Sequence, residues 1–151
     1  MRSKLKMREE LFLFASAGLA IASFLPLCRN EFQYGELLNS ETYMFIDSKI
    51  GLLVPIISII CFFVAAFNHK TRIVMFVQLV NTVAFVAGGA FYVNYLSNDA
   101  AQQAAAITQL ATVSGAPSIT FTILFGIYVA AAMALFILVT SIVCLLDKDR
   151  R

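Results

Sequence analysis

Four long apolar segments, separated by short polar stretches, make up the hydropathy pattern of this chain. No Asp, Glu, Lys or Arg occurs in 11–28, 50–68, 73–98 or 100–146. Runs of roughly 18 or more uncharged apolar residues are long enough to cross a bilayer as helices. Backbone groups in lipid must find partners internally, which leaves helices or closed barrels, and barrel strands would alternate apolar with polar. These runs do not alternate so. The pattern predicts an all-α membrane protein, a single domain over 1–151, built as an antiparallel bundle of four transmembrane helices near 10–27, 50–68, 72–96 and 118–146. A short extra helix is expected in the second outer loop, N-capped by Asp99, docked through Ile107 and Leu110 and stopped by Gly115-Ala116-Pro117. In the first outer loop, 42–46 has strand-like composition, and a hairpin with 32–37 is a further option. Pro55 should kink the outer half of the second helix.

Composition agrees: 60% of residues are hydrophobic and 13% charged, against about a quarter charged in soluble domains. The charges orient the pattern. Arg2, Lys4, Lys6, Arg8, Lys70, Arg72, Lys148, Arg150 and Arg151, nine of the eleven basic residues, fall on one side with four acids, net +5. The other side carries Arg29 and Lys49 against five acids, net −3. Cytoplasmic loops hold the Lys/Arg excess, so both termini are expected in the cytoplasm. Ala20-Ile21-Ala22 could be read as a signal cleavage site. The apolar run continues past it through Phe24-Leu25-Pro26-Leu27, however, and losing the segment would break the alternation of charge.

Chemistry-bearing residues are few. Cys28, Cys61 and Cys144 fall at different depths, too far apart for a disulfide. Cys28 alone faces the outer compartment, either as a buried apolar residue or as a link to another chain. His69 beside Lys70 reads as a solvated turn residue. One histidine and no intramembrane carboxylate leave no metal, haem or other cofactor site, no nucleophile–base pair and no proton-coupling acid. No enzymatic activity is expected, and no nucleic-acid partner. The basic tails suit topology or anionic lipid headgroups.

Amides and hydroxyls do enter the membrane. Gln78 and Asn81 share a face of the third helix, with Ser58 and Tyr128 as further candidate polar contacts. They are either interhelical hydrogen-bonding groups or the lining of a polar path. Small residues four apart, at Gly18 and Ala22, Ala84 and Gly88, and Gly126, Ala130 and Ala134, would let helices approach closely. They would close this bundle or attract another chain.

Phe24-Leu25-Pro26 closing the first helix, Asp47-Ser48-Lys49-Ile50-Gly51-Leu52-Leu53 opening the second, the Lys70–Arg72 turn and Gly126-Ile127-Tyr128 in the fourth give the chain a familiar layout. It resembles small four-helix bacterial inner-membrane proteins, families defined only as domains of unknown function. The resemblance implies an inner-membrane location and no catalytic residues. Tetraspan junction proteins share the layout, but their outer-loop cysteine pair and tryptophan are missing here. The expectation is a non-enzymatic accessory or structural subunit in the lipid bilayer, packing as a homo-oligomer or within a larger membrane complex. The alternative is a small oligomeric transporter or pore lined by Gln78, Asn81 and Tyr128.

Overall fold

The computed structural model describes residues 2–34, 36–67, 71–110 and 117–146, with the side chains of 2–9, 71, 109, 110, 144 and 145 outside that description. His69, Lys70, the Gly115-Ala116 stop, the Cys144 side chain and the C-terminal charges therefore lie outside the described residues. The elements run α1 (Arg2–Ala22), β1 (Pro26–Tyr34), β2 (Leu37–Met44), a single 3-10 turn (Phe45–Asp47), α2 (Leu53–Phe67), α3 (Thr71–Leu110), β3 (Ser118–Ile123) and α4 (Phe125–Leu146).

This corrects the expected fold class. Four helices are present, but so is a three-stranded antiparallel sheet of order β2-β1-β3, and the protein is not an all-α bundle of four membrane-crossing helices. Among the described residues only two helices are long and apolar enough to cross a membrane, over Arg72–Thr108 and Phe125–Val143. The apolar parts of the other two, Glu10–Ala22 and Leu53–Phe67, are shorter; the 15 residues of α2 rise only about 22 Å, against a hydrocarbon core of ~30 Å.

The missing helical residues went into strands and turns, for local reasons. Helix α1 stops at Ala22 because Pro26 disfavours helical backbone just before it. Ser23 closes the helix, its amide and its hydroxyl both donating to the Leu19 carbonyl (3.2 and 3.0 Å). Pro26 then begins β1, a position where a strand tolerates proline. The expected helical start at 118 is instead Ser-Ile-Thr-Phe-Thr-Ile, a β-branched and aromatic run. Ile119 and Phe121 are half-buried while Thr120 and Thr122 are exposed, the period of two that marks a strand.

The hairpin lies where the first outer loop was expected, but it starts earlier. Tyr34 pairs with Leu37 at the tip and Cys28 with Tyr43 near the base, with a bulge between Pro26 and Cys28. Strand β3 adds to the other edge of β1, from Gln33 with Ser118 to Cys28 with Ile123. The second outer segment thus joins the first through backbone hydrogen bonds.

Among the described residues no separate outer helix follows α3; the helix runs unbroken for 40 residues, about 60 Å, twice the ~30 Å core. No Gly or Pro lies between Ala90 and Leu110 to stop it. Asp99 does not cap a new helix. It accepts a hydrogen bond from the Gln103 side chain one turn on (2.8 Å). Pro55, expected to kink the second helix, is the third residue of α2, in the first turn, where an amide has no intrahelical acceptor to lose.

Helix α1 touches α2 and α4, and α3 also touches α2 and α4, so each helix has two helical neighbours. Sheet and helices meet over Phe45, which is fully buried, its ring 4.5 Å from that of Phe85 and tilted by 59°. Two close approaches fix this junction. A side chain at Gly51 would strike the Phe45 carbonyl, and one at Gly126 would strike the Pro26 carbonyl. Glycine is needed at both for steric reasons. The amide of Leu124 donates to Leu27 (2.8 Å), tying the start of α4 to β1.

Candidate functional site

Two polar clusters stand out. The first lies between α2 and α3. Gln78 and Asn81, one turn apart on α3, both donate to the hydroxyl of Ser58 (3.1 and 3.0 Å), and Asn81 also donates to the Val54 carbonyl (3.1 Å). That carbonyl belongs to the second residue of α2, just before Pro55. Ser58, Gln78 and Thr82 are fully buried and Asn81 nearly so. The Thr82 hydroxyl returns to the Gln78 carbonyl (2.8 Å), a residue the sequence reading passed over. One acceptor, Oε1 of Gln78, is buried without a donor.

The structure thus brings Gln78, Asn81 and Ser58 together and sets Tyr128 apart, 68% exposed on α4. Tyr128 is not part of this cluster. The small residues also divide. Gly18 faces α4, where an added Cβ would lie 2.6 Å from Sδ of Met133, and Ala22, Ala130 and Ala134 are buried. Gly126 meets the backbone of β1 rather than a helix, and Gly88 meets the side chain of Ile50, at 2.8 Å from an added Cβ. Ala84 is exposed. The candidate helix-packing stripe on α3 is therefore not buried against a helix.

The second cluster is on the sheet and was not legible as a site. Alternate residues of a strand share a face, so Cys28, Asn30 and Phe32 of β1 lie beside Tyr43, Glu41 and Asn39 of β2, paired in that order. Cys28 is fully buried, so this face turns toward the helices. Between it and the far end of α3 is a cleft of about 210 Å³, lined by Asn30, Phe32, Asn39, Glu41, Tyr43 and Gln103, with Glu31 and Ile119 at its edges. The Tyr43 hydroxyl donates to Oε2 of Glu41 (2.6 Å). On the opposite face, Arg29 pairs with Glu31 at 3.4 Å.

The electrostatics follow from these contacts. The hydrogen bond to Glu41 pushes Tyr43 up from 10.0 to about 12, helped by burial and by the carboxylate's charge, while the Asn30 amide pulls the other way. Burial pushes the Cys28 thiol up to about 11. The thiolate is the reactive form, so burial and the retained proton fit Cys28 as a small apolar core residue. Among the described residues no group of three His, Cys, Asp or Glu side chains is placed to hold a metal.

Two outcomes follow. Asn81→Leu removes one of the two side-chain donors to the Ser58 hydroxyl and the side-chain donor to the Val54 carbonyl, and should lower stability in detergent by about 1–2 kcal/mol; an unchanged denaturation midpoint would contradict the network. Tyr43 holds its proton more tightly in the folded state, so its contribution to stability is complete below pH ~10 and disappears as pH rises toward 12. A tyrosinate absorbance titration should show one residue ionising near 12, moved toward 10.0 in Glu41→Gln. Compared with known proteins, the chain matches no family model and no curated protein.

Proposed function

We propose that this chain is a non-enzymatic accessory subunit of a bacterial inner membrane, packing with itself or with a larger membrane complex. Helices α3 and α4 would anchor it, with α1 and α2 packed alongside as shorter apolar helices. The sheet and the last turns of α3 would form a head on the outer side.

The observation that carries this reading is the apolar surface left uncovered on the anchoring helices. On α3, Ile73, Phe76, Val80 and Val83 are each more than half exposed, and on α4 so are Leu135 and Val139. Contiguous apolar surface on this scale is unfavourable in water and favourable against lipid or a partner helix. The charges supply the orientation. The basic N-terminal stretch and Arg72 lie at the helix ends away from the sheet, and the net charge of −3 falls on the sheet, its connections and the far end of α3. The basic end is therefore the cytoplasmic one, with both termini there. The Ser58, Gln78 and Asn81 groups bond to one another and to backbone, which supports glue between helices over a polar path. Tyr128, which the pore reading needs, lies apart from them.

The chain should resist extraction by alkaline carbonate, require detergent, and then run in native mass measurement as a homo-oligomer or with a bound partner. Release by carbonate, or a strictly monomeric species without a partner, would contradict the proposal.

A further inference from the structure

The cleft under the sheet has a composition that goes beyond an anchoring role. We infer that it is a binding site for an alkylammonium group, carried either by a small organic amine or by a lysine side chain of a peptide. Its lining is rich in acceptors. Glu41 is exposed, and among the described residues only one of its oxygens accepts a hydrogen bond, that from Tyr43. Asn30, directly across the strand pair from Glu41, has its Oδ1 buried with no donor among the described residues. The lining donor nearest α3, Nε2 of Gln103, is already committed to Asp99. An ammonium has three N–H donors and no acceptor, which is the complement of such a site.

Shape and rim agree with charge. Phe32 and Tyr43 border the cleft, and aromatic faces attract a cation held near them. About 210 Å³ is well above the ~30 Å³ share of a single water and below the ~300–1,000 Å³ of pockets for drug-sized ligands. A chain of a few carbons ending in an ammonium fits that interval. The one basic side chain in the sheet, Arg29, is not among the residues lining the cleft and pairs with Glu31 at its edge. The sheet, its connections and the far end of α3 with Asp99 together carry net −3, which favours approach of a cation.

The test uses the full chain in detergent with 1,4-diaminobutane, a short peptide with one central lysine, and 1,4-butanediol as the uncharged analogue. Binding is followed by calorimetry and by the amide signals of Asn30 and Asn39. Saturable binding of the diamine or the peptide, absent with the diol and weakened about 10-fold or more by Glu41→Gln, is the expected result. Diamine binding points to a free amine, and peptide binding alone points to a partner's lysine. Glu41→Asp, which keeps the charge, should bind better than Glu41→Gln. No saturable binding of either amine, or binding indifferent to Glu41→Gln, overturns the inference. Because the assay does not ask whether the chain associates with a partner or crosses a membrane, its failure leaves the accessory-subunit proposal standing.

Discussion

The double pairing of β1 is the constraint on which the rest of the structure depends. Strand β1 is hydrogen-bonded to β2 on one edge and to β3 on the other, joining segments that lie more than eighty residues apart in the chain. Once β1 starts at Pro26, α1 must end beneath it. Once β3 pairs with β1, α4 cannot begin before Phe125. The steric demands at Gly51 and Gly126 are consequences of the same junction, where backbone passes within contact distance of backbone. Phe45 fills the remaining space against Phe85. An aromatic pair of this kind adds about 0.5–1.5 kcal/mol beyond its buried area.

That junction also explains the length of α3. Its far end lies beside the sheet, with Leu96 and Ala100 buried and Tyr92 and Val93 packed onto the core. A helix of 40 residues therefore has one part with exposed apolar faces suited to lipid and another that serves as a wall for the head. The polar cleft exists because the wall and the sheet meet there. The buried amides tie α2 to α3: Asn81 donates to the Val54 carbonyl, and Ser58 accepts from two side chains at once.

Much of this was legible in the sequence, and the failures are specific. Helices near all four apolar segments were foreseen, because charge-free apolar runs are a strong signal. The shared face of Gln78 and Asn81 was also legible, since amides avoid lipid and the two lie one turn apart, but Ser58 was expected at another depth. The hairpin was only an option, with different bounds, and β3 was missed because its pairing with β1 is a long-range property. Ser118–Ile123 is uncharged and abuts α4, so hydropathy merged it with the helix although Ile119 and Phe121 already alternated with threonines. The third helix was expected to end near 96, with Asp99 capping a new helix just beyond Ser97 and Asn98. With no Gly or Pro among them, a helix continues through such residues at modest cost. The cleft depends on register, which sets Asn30 opposite Glu41, and neither residue is unusual when read alone. Ala84 and Tyr128 had suitable side chains at suitable spacing, but the structure leaves both exposed.

The pairing of β1 with β3 is tested most directly by a cross-strand disulfide. Phe32 and Ile119 are register partners, and paired residues of antiparallel strands lie about 4.5–5.5 Å apart at Cα, within disulfide range. With Phe32→Cys and Ile119→Cys in one chain, mild oxidation should give an intramolecular link in the folded, detergent-solubilised protein. The pair Phe32→Cys and Phe121→Cys, shifted by two residues, should link poorly. Failure of the first pair, or equal linking by both, would contradict the fold at its central strand.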